Sequence, residues 1–334
     1  MLVDFAASVA ATPAEAEAAA VSAEQVGYDG FSAAETRHDV FTTLALVARA
    51  TTHISLQSGI AVAFARNPMT VAILGNDLRL ISEGRFRLGL GSQVKPHIER
   101  RFAMPWSRPA ARMEEFVGAL RAIWHSWATG ERLMFRGEFY RHTLMTEFFT
   151  PGPNPFGNPP VELAAVGERM LAVAGRSTDG LLVHPLTSAA YLNERILPVT
   201  REARGGKLDG FSVAMSPMVV MGPDEERRSR AERAVRRQIA FYASTPAYRP
   251  VLDLHGWGGL ADRLNAFSRR QEWDAMAAAI PDDVLDAFAV AGDPVTVAAA
   301  LRDRFDGKVD RISLYTPYDA DRYQLAAVRS SLRR

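Results

Sequence analysis

Seven histidines and no cysteine in 334 residues define the chemistry open to this chain. Thiol nucleophiles, disulfides, thiolate zinc sites and iron–sulfur clusters all require Cys and are excluded together. Imidazole, carboxylate and guanidinium groups remain, gathered in short polar stretches that each follow an apolar run. These are Glu35-Thr36-Arg37-His38-Asp39, then Arg66-Asn67, then Ser92-Gln93 with Lys95, His97 and Glu99, then Gly167-Glu168-Arg169, and last His184. An imidazole changes charge near neutral pH, so the histidines of these stretches, His38, His97 and His184, are the candidates for handling a proton. Glu35, His38 and Asp39 offer only two carboxylates and one imidazole within five residues, and no metal is expected. The set mixes cations with few paired carboxylates, which suits an anionic ligand better than glycoside hydrolysis.

Residues so far apart in sequence need a scaffold that carries the end of every apolar run to one place. Eight β-rich runs alternate with amphipathic stretches: Leu2 to Ala6, Tyr28 to Ala34, His53 to Val62, Phe86 to Gly91, Val161 to Val166, Gly180 to His184, Phe211 to Met221 and Arg311 to Thr316. Several are apolar on both faces, as strands of a covered parallel sheet are. Between them, Pro109 to Trp127 places Met113, Phe116, Val117, Leu120, Trp124 and Trp127 on one helical stripe, so its tryptophans read as core. Pro68 to Ser82 has Pro in its first turn and Gly84 just past its end. Thr12 and Glu15 have the spacing of a capping box. The predicted architecture is a (β/α)8 barrel, whose ligand site lies at the C-terminal ends of the strands, where the polar stretches fall.

Two segments break the alternation. Gly130 to Pro160 is too long for a βα connection and is expected to be an insertion after strand four. Pro223 to Pro294 is expected to be a helical excursion after strand seven, with residues 1–334 forming a single domain. Lys and Arg total 39 against 38 Asp and Glu, and the net charge of +1 supplies no field for nucleic acid. With no apolar span and no signal-like N-terminus, no membrane partner is expected, and the chain is expected to be cytoplasmic.

Arg79-Leu80-Ile81-Ser82-Glu83-Gly84-Arg85-Phe86-Arg87-Leu88-Gly89-Leu90-Gly91 resembles the L-S-x-G-R-x-x-L-G-L-G signature of the bacterial-luciferase-like superfamily. Gly59-Ile60-Ala61-Val62, Asn67-Pro68, Val161 to Gly167 and Asp179 to Val183 follow in that family's order and spacing, so the resemblance runs from about residue 1 to 320. Ser92-Gln93-Val94-Lys95-Pro96-His97 through Phe102, with Met104-Pro105-Trp106 after it, is similar to the branch that uses the deazaflavin coenzyme F420.

The resemblance implies a cofactor site of Gly59, Ile60 and Ala61, with a non-prolyl cis peptide at Gly59-Ile60, of Gly91, Ser92 and Gln93, and of Val166, Gly167, Glu168 and Arg169 around the cofactor phosphate, with His184 facing the ring. The phosphate placement agrees with the attraction of helix N-termini for anions. It implies His38 as the catalytic proton carrier, although many relatives carry Asp-His or Glu-His where this chain has Glu35-Thr36-Arg37-His38, and surface pairing with Asp39 is the other reading. Lys95, Arg66 and Arg100 would meet the acidic tail of the deazaflavin or remain solvated. The implied function is hydride transfer between F420 and a small organic substrate, with the Phe135 to Phe156 region covering the site. An FMN-dependent monooxygenase fed by a partner reductase, and a non-catalytic flavin-binding protein, are the alternatives. Relatives also imply a homodimer.

Overall fold

The computed structural model describes residues 1–333. Eight parallel strands close on themselves: β1 (Leu2–Ala6), β2 (Gly30–Ala33), β3 (Ser55–Ser58), β4 (Phe86–Gly91), β5 (Val161–Ala165), β6 (Gly180–Val183), β7 (Ser212–Met215) and β8 (Arg311–Ser313). Each pairs with its sequence neighbour, and β1 pairs with β8 (Val3 opposite Ile312), which completes the ring. The protein is thus a (β/α)8 barrel with helices in its crossovers.

Local signals in the sequence set the helices. In α1 (Pro13–Val26) the Thr12 hydroxyl accepts from the Glu15 amide while the Glu15 carboxylate accepts from the Thr12 amide, and Gly27 closes the helix at φ 88°. Asp39 caps α2 (Val40–Ala50) and Asn67 caps α3 (Pro68–Ile81). The predicted stripe of α4 (Pro109–Thr129) is buried, and the Trp124 indole donates to Ala72 O of α3 at 3.1 Å. Trp106, outside the stripe, packs edge-on against Phe64.

Three strand expectations need correction. The third run breaks in two, because the cis Gly59–Ile60 peptide separates β3 from a short continuation at Ala61–Val62 that stays paired to β4. The seventh ends as a barrel strand at Met215; Met218–Val220 pairs instead with Ala289–Ala291 outside the ring. The excursion is therefore not purely helical. The eighth stops at Ser313. The insertion carries a small hairpin, Phe135–Arg136 with Arg141–His142, and runs along α3, where Asn154 donates to Asn76 Oδ1 at 2.9 Å.

Side chains alternate along a strand, so every second residue points into the barrel. At the N-terminal end these are polar. Arg311 clasps Asp4 (Nε–Oδ2 2.8 Å, Nη2–Oδ1 2.6 Å) and Arg87 clasps Glu162 (Nε–Oε1 2.9 Å), with Gln57 on the other oxygen of Glu162. Gly30 and Gly180 make the room: a Cβ at Gly30 would collide with Asp4, Arg311 and Ser55, and one at Gly180 with Ser212 and Glu162. A cavity of about 910 Å³ opens below this layer, among Leu2, Trp124, Pro160 and Asp310. It lies at the opposite end of the barrel from the polar loops.

Candidate active site

Continuing the alternation upward gives the layer at the C-terminal mouth: Ala6, Ala34, Gly59, Gly91, Val166, His184, Ser216 and Tyr315. The first four are small and adjacent, from β1 through β4, so that side of the mouth carries almost no side-chain bulk. Ile60 lies across it, and a Cβ on Gly91 would stand 2.8 Å from Ile60 Cδ1. The peptide bond before Ile60 is cis, as the resemblance implies. One layer deeper, Ser58 accepts from the Gly89 amide and donates to the Gly89 carbonyl, both at 2.9 Å, which locks β3 to β4 beneath this floor. Gln93 follows with φ 60°, a left-handed conformation that a non-glycine side chain adopts only where its surroundings hold it.

The loop after β2 is pinned to that floor. Glu35 is buried; its Oε2 accepts from the Val62 amide at 2.7 Å and from Arg66 Nη1 at 2.7 Å, and its Oε1 accepts from Arg66 Nη2 at 2.6 Å. Arg66 Nη2 also reaches Asp39 Oδ2 at 2.6 Å. Burial opposes ionisation of Asp39, but the Thr42 amide and the Arg66 charge outweigh it and hold its pKa below the usual value. Burial likewise works against Arg66, and the two carboxylates prevail and raise its pKa. Arg66 is therefore paired with carboxylates of its own chain rather than simply solvated. Lys95 faces Glu99 at 3.8 Å, and both are exposed, as are Arg100 and His97.

His38 is exposed, one residue before the cap of α2, and makes no side-chain hydrogen bond among the described residues. Asp39, its expected surface partner, bonds Thr42 and Arg66 instead. Gly167 caps α5 (Glu168–Ser177) without a side chain; the space where its Cβ would stand is empty, and Glu168 and Arg169 beside it are exposed. The Glu168 and Arg169 amides there are free to meet an anion, while that of Met170 donates to the Gly167 carbonyl. No cluster of three or more metal-ligating side chains occurs among the described residues.

The opposite side of the mouth is aromatic. His184 stacks on Tyr248 (4.3 Å between centroids, 24° between planes) and meets Tyr242 edge-on at 4.6 Å. Tyr242 Oη lies 3.1 Å from Tyr315 Oη. His184 Nδ1 accepts from the Leu186 amide at 3.1 Å, and burial pushes the imidazole pKa down to about 3, so the ring is neutral at physiological pH. Burial also raises Tyr242 and Tyr315, and pushes Tyr248 up to about 12. Sequence reasoning missed all three tyrosines. Tyr315 follows from extending the alternation of β8 past its last paired residue; Tyr242, in α7 (Glu225–Ala243, the helix after α6, Leu197–Ala203), and Tyr248 come from the excursion, where no local signal ties them to the mouth.

Comparison with known proteins bears on the family and the fold. The sequence model of the family described as luciferase-like monooxygenase matches residues 3–311. An uncharacterized protein of Mycobacterium tuberculosis is 51% identical over 302 residues, covering 90% of this chain and 89% of the relative. The 5,10-methylenetetrahydromethanopterin reductase of Archaeoglobus fulgidus is 26% identical over 294 residues, 85% of this chain and 83% of its own. The structure of the coenzyme F420 dependent tetrahydromethanopterin reductase from Methanopyrus kandleri superposes with a TM-score of 0.81 at 19% identity, over 99% of this chain and 98% of that one.

Proposed function

The chain belongs to the luciferase-like monooxygenase family, and from that premise we propose that it is an oxidoreductase, one barrel domain, that binds the deazaflavin coenzyme F420 and acts on a small organic molecule. The carrying observation is the floor of the mouth. Ala6, Ala34, Gly59 and Gly91 leave a shallow bay, and Ile60 presents an apolar surface across Gly91, against which a flat ring system fits. Ala61, Ser92 and Gln93, which follow Ile60 and Gly91 in sequence, are assigned to the same cofactor site. Val166, Gly167, Glu168 and Arg169 line the entrance to α5, whose open first turn is the complement of a phosphate.

When bound, the deazaflavin supplies hydride chemistry at C5 of its ring. The protein's part is to hold, orient and shield. Glu35 and Arg66 fix Val62 and so the continuation of β3 behind the bay. His38, exposed in the loop after β2, is the group proposed to take up or release the accompanying proton. The face of α2 and α3 exposes Leu46, Ile73, Leu80 and Ile81, and we assign a second copy of the chain to it.

Equilibrium titration of the purified, cofactor-stripped protein with F420 and with FMN tests the reading. The expected result is micromolar or tighter binding of F420 and at least about tenfold weaker binding of FMN, a gap of about 1.4 kcal/mol. The reverse preference replaces this reading with a monooxygenase fed reduced FMN by a partner reductase. Binding of neither overturns the cofactor assignment. F420 binding with no turnover across a substrate screen leaves a non-catalytic binding protein.

A further inference from the structure

We propose that the aromatic side of the mouth is the substrate subsite, and that it takes an uncharged, planar organic molecule through one acceptor oxygen, held by a hydrogen bond from His184 Nε2. The inference rests on the mouth being the reaction site, and it names the class of substrate.

The His184 tautomer is set by the backbone. Nδ1 accepts from the Leu186 amide, so in the neutral ring the proton sits on Nε2. That Nε2 has no hydrogen-bond partner among the described residues, and it is not one of the side-chain nitrogens sealed from solvent. It is an unused donor whose ring is held in place by Tyr248 and Tyr242. Alternation aims the side chain inward: Leu182, two residues earlier, stands 2.8 Å from where a Gly89 Cβ would be, inside the barrel.

The Tyr242–Tyr315 pair adds a second donor. Two phenols contain two protons, and their mutual bond uses one. Each hydroxyl has the other as its sole partner among the described residues, so one proton remains for a ligand. Phenol faces and the imidazole together favour a flat guest.

Charge is absent from this side. Burial and the tyrosines' own contacts account for the protonation of all four rings, with no Lys, Arg, Asp or Glu contributing. A carboxylate or phosphate there would lose its hydration and gain no counter-charge, whereas a carbonyl oxygen needs only the donors the subsite offers. The ion-paired cluster of the mouth, Glu35, Asp39 and Arg66, is on the β2–β3 side, away from these rings.

The test is titration with acetophenone, 2-acetonaphthone and cyclohex-2-enone, and with 4-acetylbenzoate as the charged counterpart, in the presence and absence of F420. Calorimetry reads affinity, and long-range proton–nitrogen correlation spectra read the His184 ring. The expected results are that at least one neutral ketone binds at least tenfold tighter than 4-acetylbenzoate and shifts the His184 Nε2 resonance at saturation. His184→Gln and the double variant Tyr242→Phe/Tyr315→Phe, which removes both phenol protons, should each weaken it at least fivefold, with circular dichroism unchanged. Tighter binding of the carboxylate, no binding of any ketone, an unmoved Nε2 resonance, or binding indifferent to both variants would overturn the subsite. Ketone recognition that survives while F420 fails to bind would instead refute the cofactor reading alone.

Discussion

Glu35 and Arg66 offer the most quantitative check on how the mouth is held. Their side chains are 7% and 15% exposed, so the pair belongs to the buried regime, where removing one partner strands the other. Replacing Glu35 by Gln removes the charge behind three hydrogen bonds, one from the Val62 amide and two from Arg66. Breaking such a buried pair costs about 3–5 kcal/mol. Asp39 stays on Arg66, but at 42% exposure it recovers only part, so E35Q should destabilise by about 3 kcal/mol. R66M, which leaves the Glu35 carboxylate buried with Val62 alone, should cost a similar amount, roughly 3 kcal/mol. The double variant should fall short of the sum by about 2 kcal/mol, because neither charge is then stranded. Urea unfolding of all four proteins at pH 7, with m-values compared, measures the cycle. Val62 follows the Ile60 bulge, so E35Q should also weaken F420 binding, by roughly tenfold. Costs that add to within about 0.5 kcal/mol would refute the coupling and, with it, the account of Arg66 as an internal counter-ion.

Further tests address the floor, the imidazole and the apolar face. A Cβ at Gly89 would overlap the Ser58 carbonyl and stand 2.8 Å from Leu182 Cδ1, so Gly89→Ala should cost about 2–3 kcal/mol, whereas Gly167→Ala, which meets nothing within 4 Å, should change stability by less than about 0.5 kcal/mol by the same urea assay. For His184, the unfolded ring takes a proton near pH 6.5 and the folded ring resists until about 3, so stability falls as pH drops through that window. Wild type should therefore lose about 1.4 kcal/mol per pH unit more than H184Q below pH 6.5; parallel stability curves would contradict the buried neutral ring. Replacing Leu46 and Ile73 together by Glu should convert a dimer to monomer in sedimentation experiments, and an unchanged sedimentation coefficient would move the contact elsewhere.

The barrel was legible because its evidence is periodic and repeated. Apolar strands, capped helices such as Thr12–Glu15, and the α4 stripe each report local physics that tertiary context does not overturn. Strand ends were less legible. Phe211 to Met221 is apolar throughout, and no local feature marks Met215 as the point where the chain leaves the ring to pair with Ala289–Ala291. The candidate site divides along the same line. Gly91 ends β4, and Gly59 and Gly167 follow β3 and β5, where the strand pattern puts them. The pairing of Arg66 is not legible, because an exposed cation and a cation folded onto Glu35, 31 residues away, look identical in sequence.

The tyrosines show how far strand logic reaches. Tyr315 stands two residues beyond Ser313 and His184 two beyond Leu182, so alternation places both at the mouth. Nothing comparable places Tyr242, whose position in α7 is set by how the excursion folds back over β6–β8. The floor thus comes from the repeating barrel, as in any chain with these glycines, while the roof over its aromatic side comes from a segment with no counterpart in the repeat. A cofactor common to many substrates belongs on the repeating part, and selectivity for one substrate belongs on the excursion, which can change without disturbing a strand.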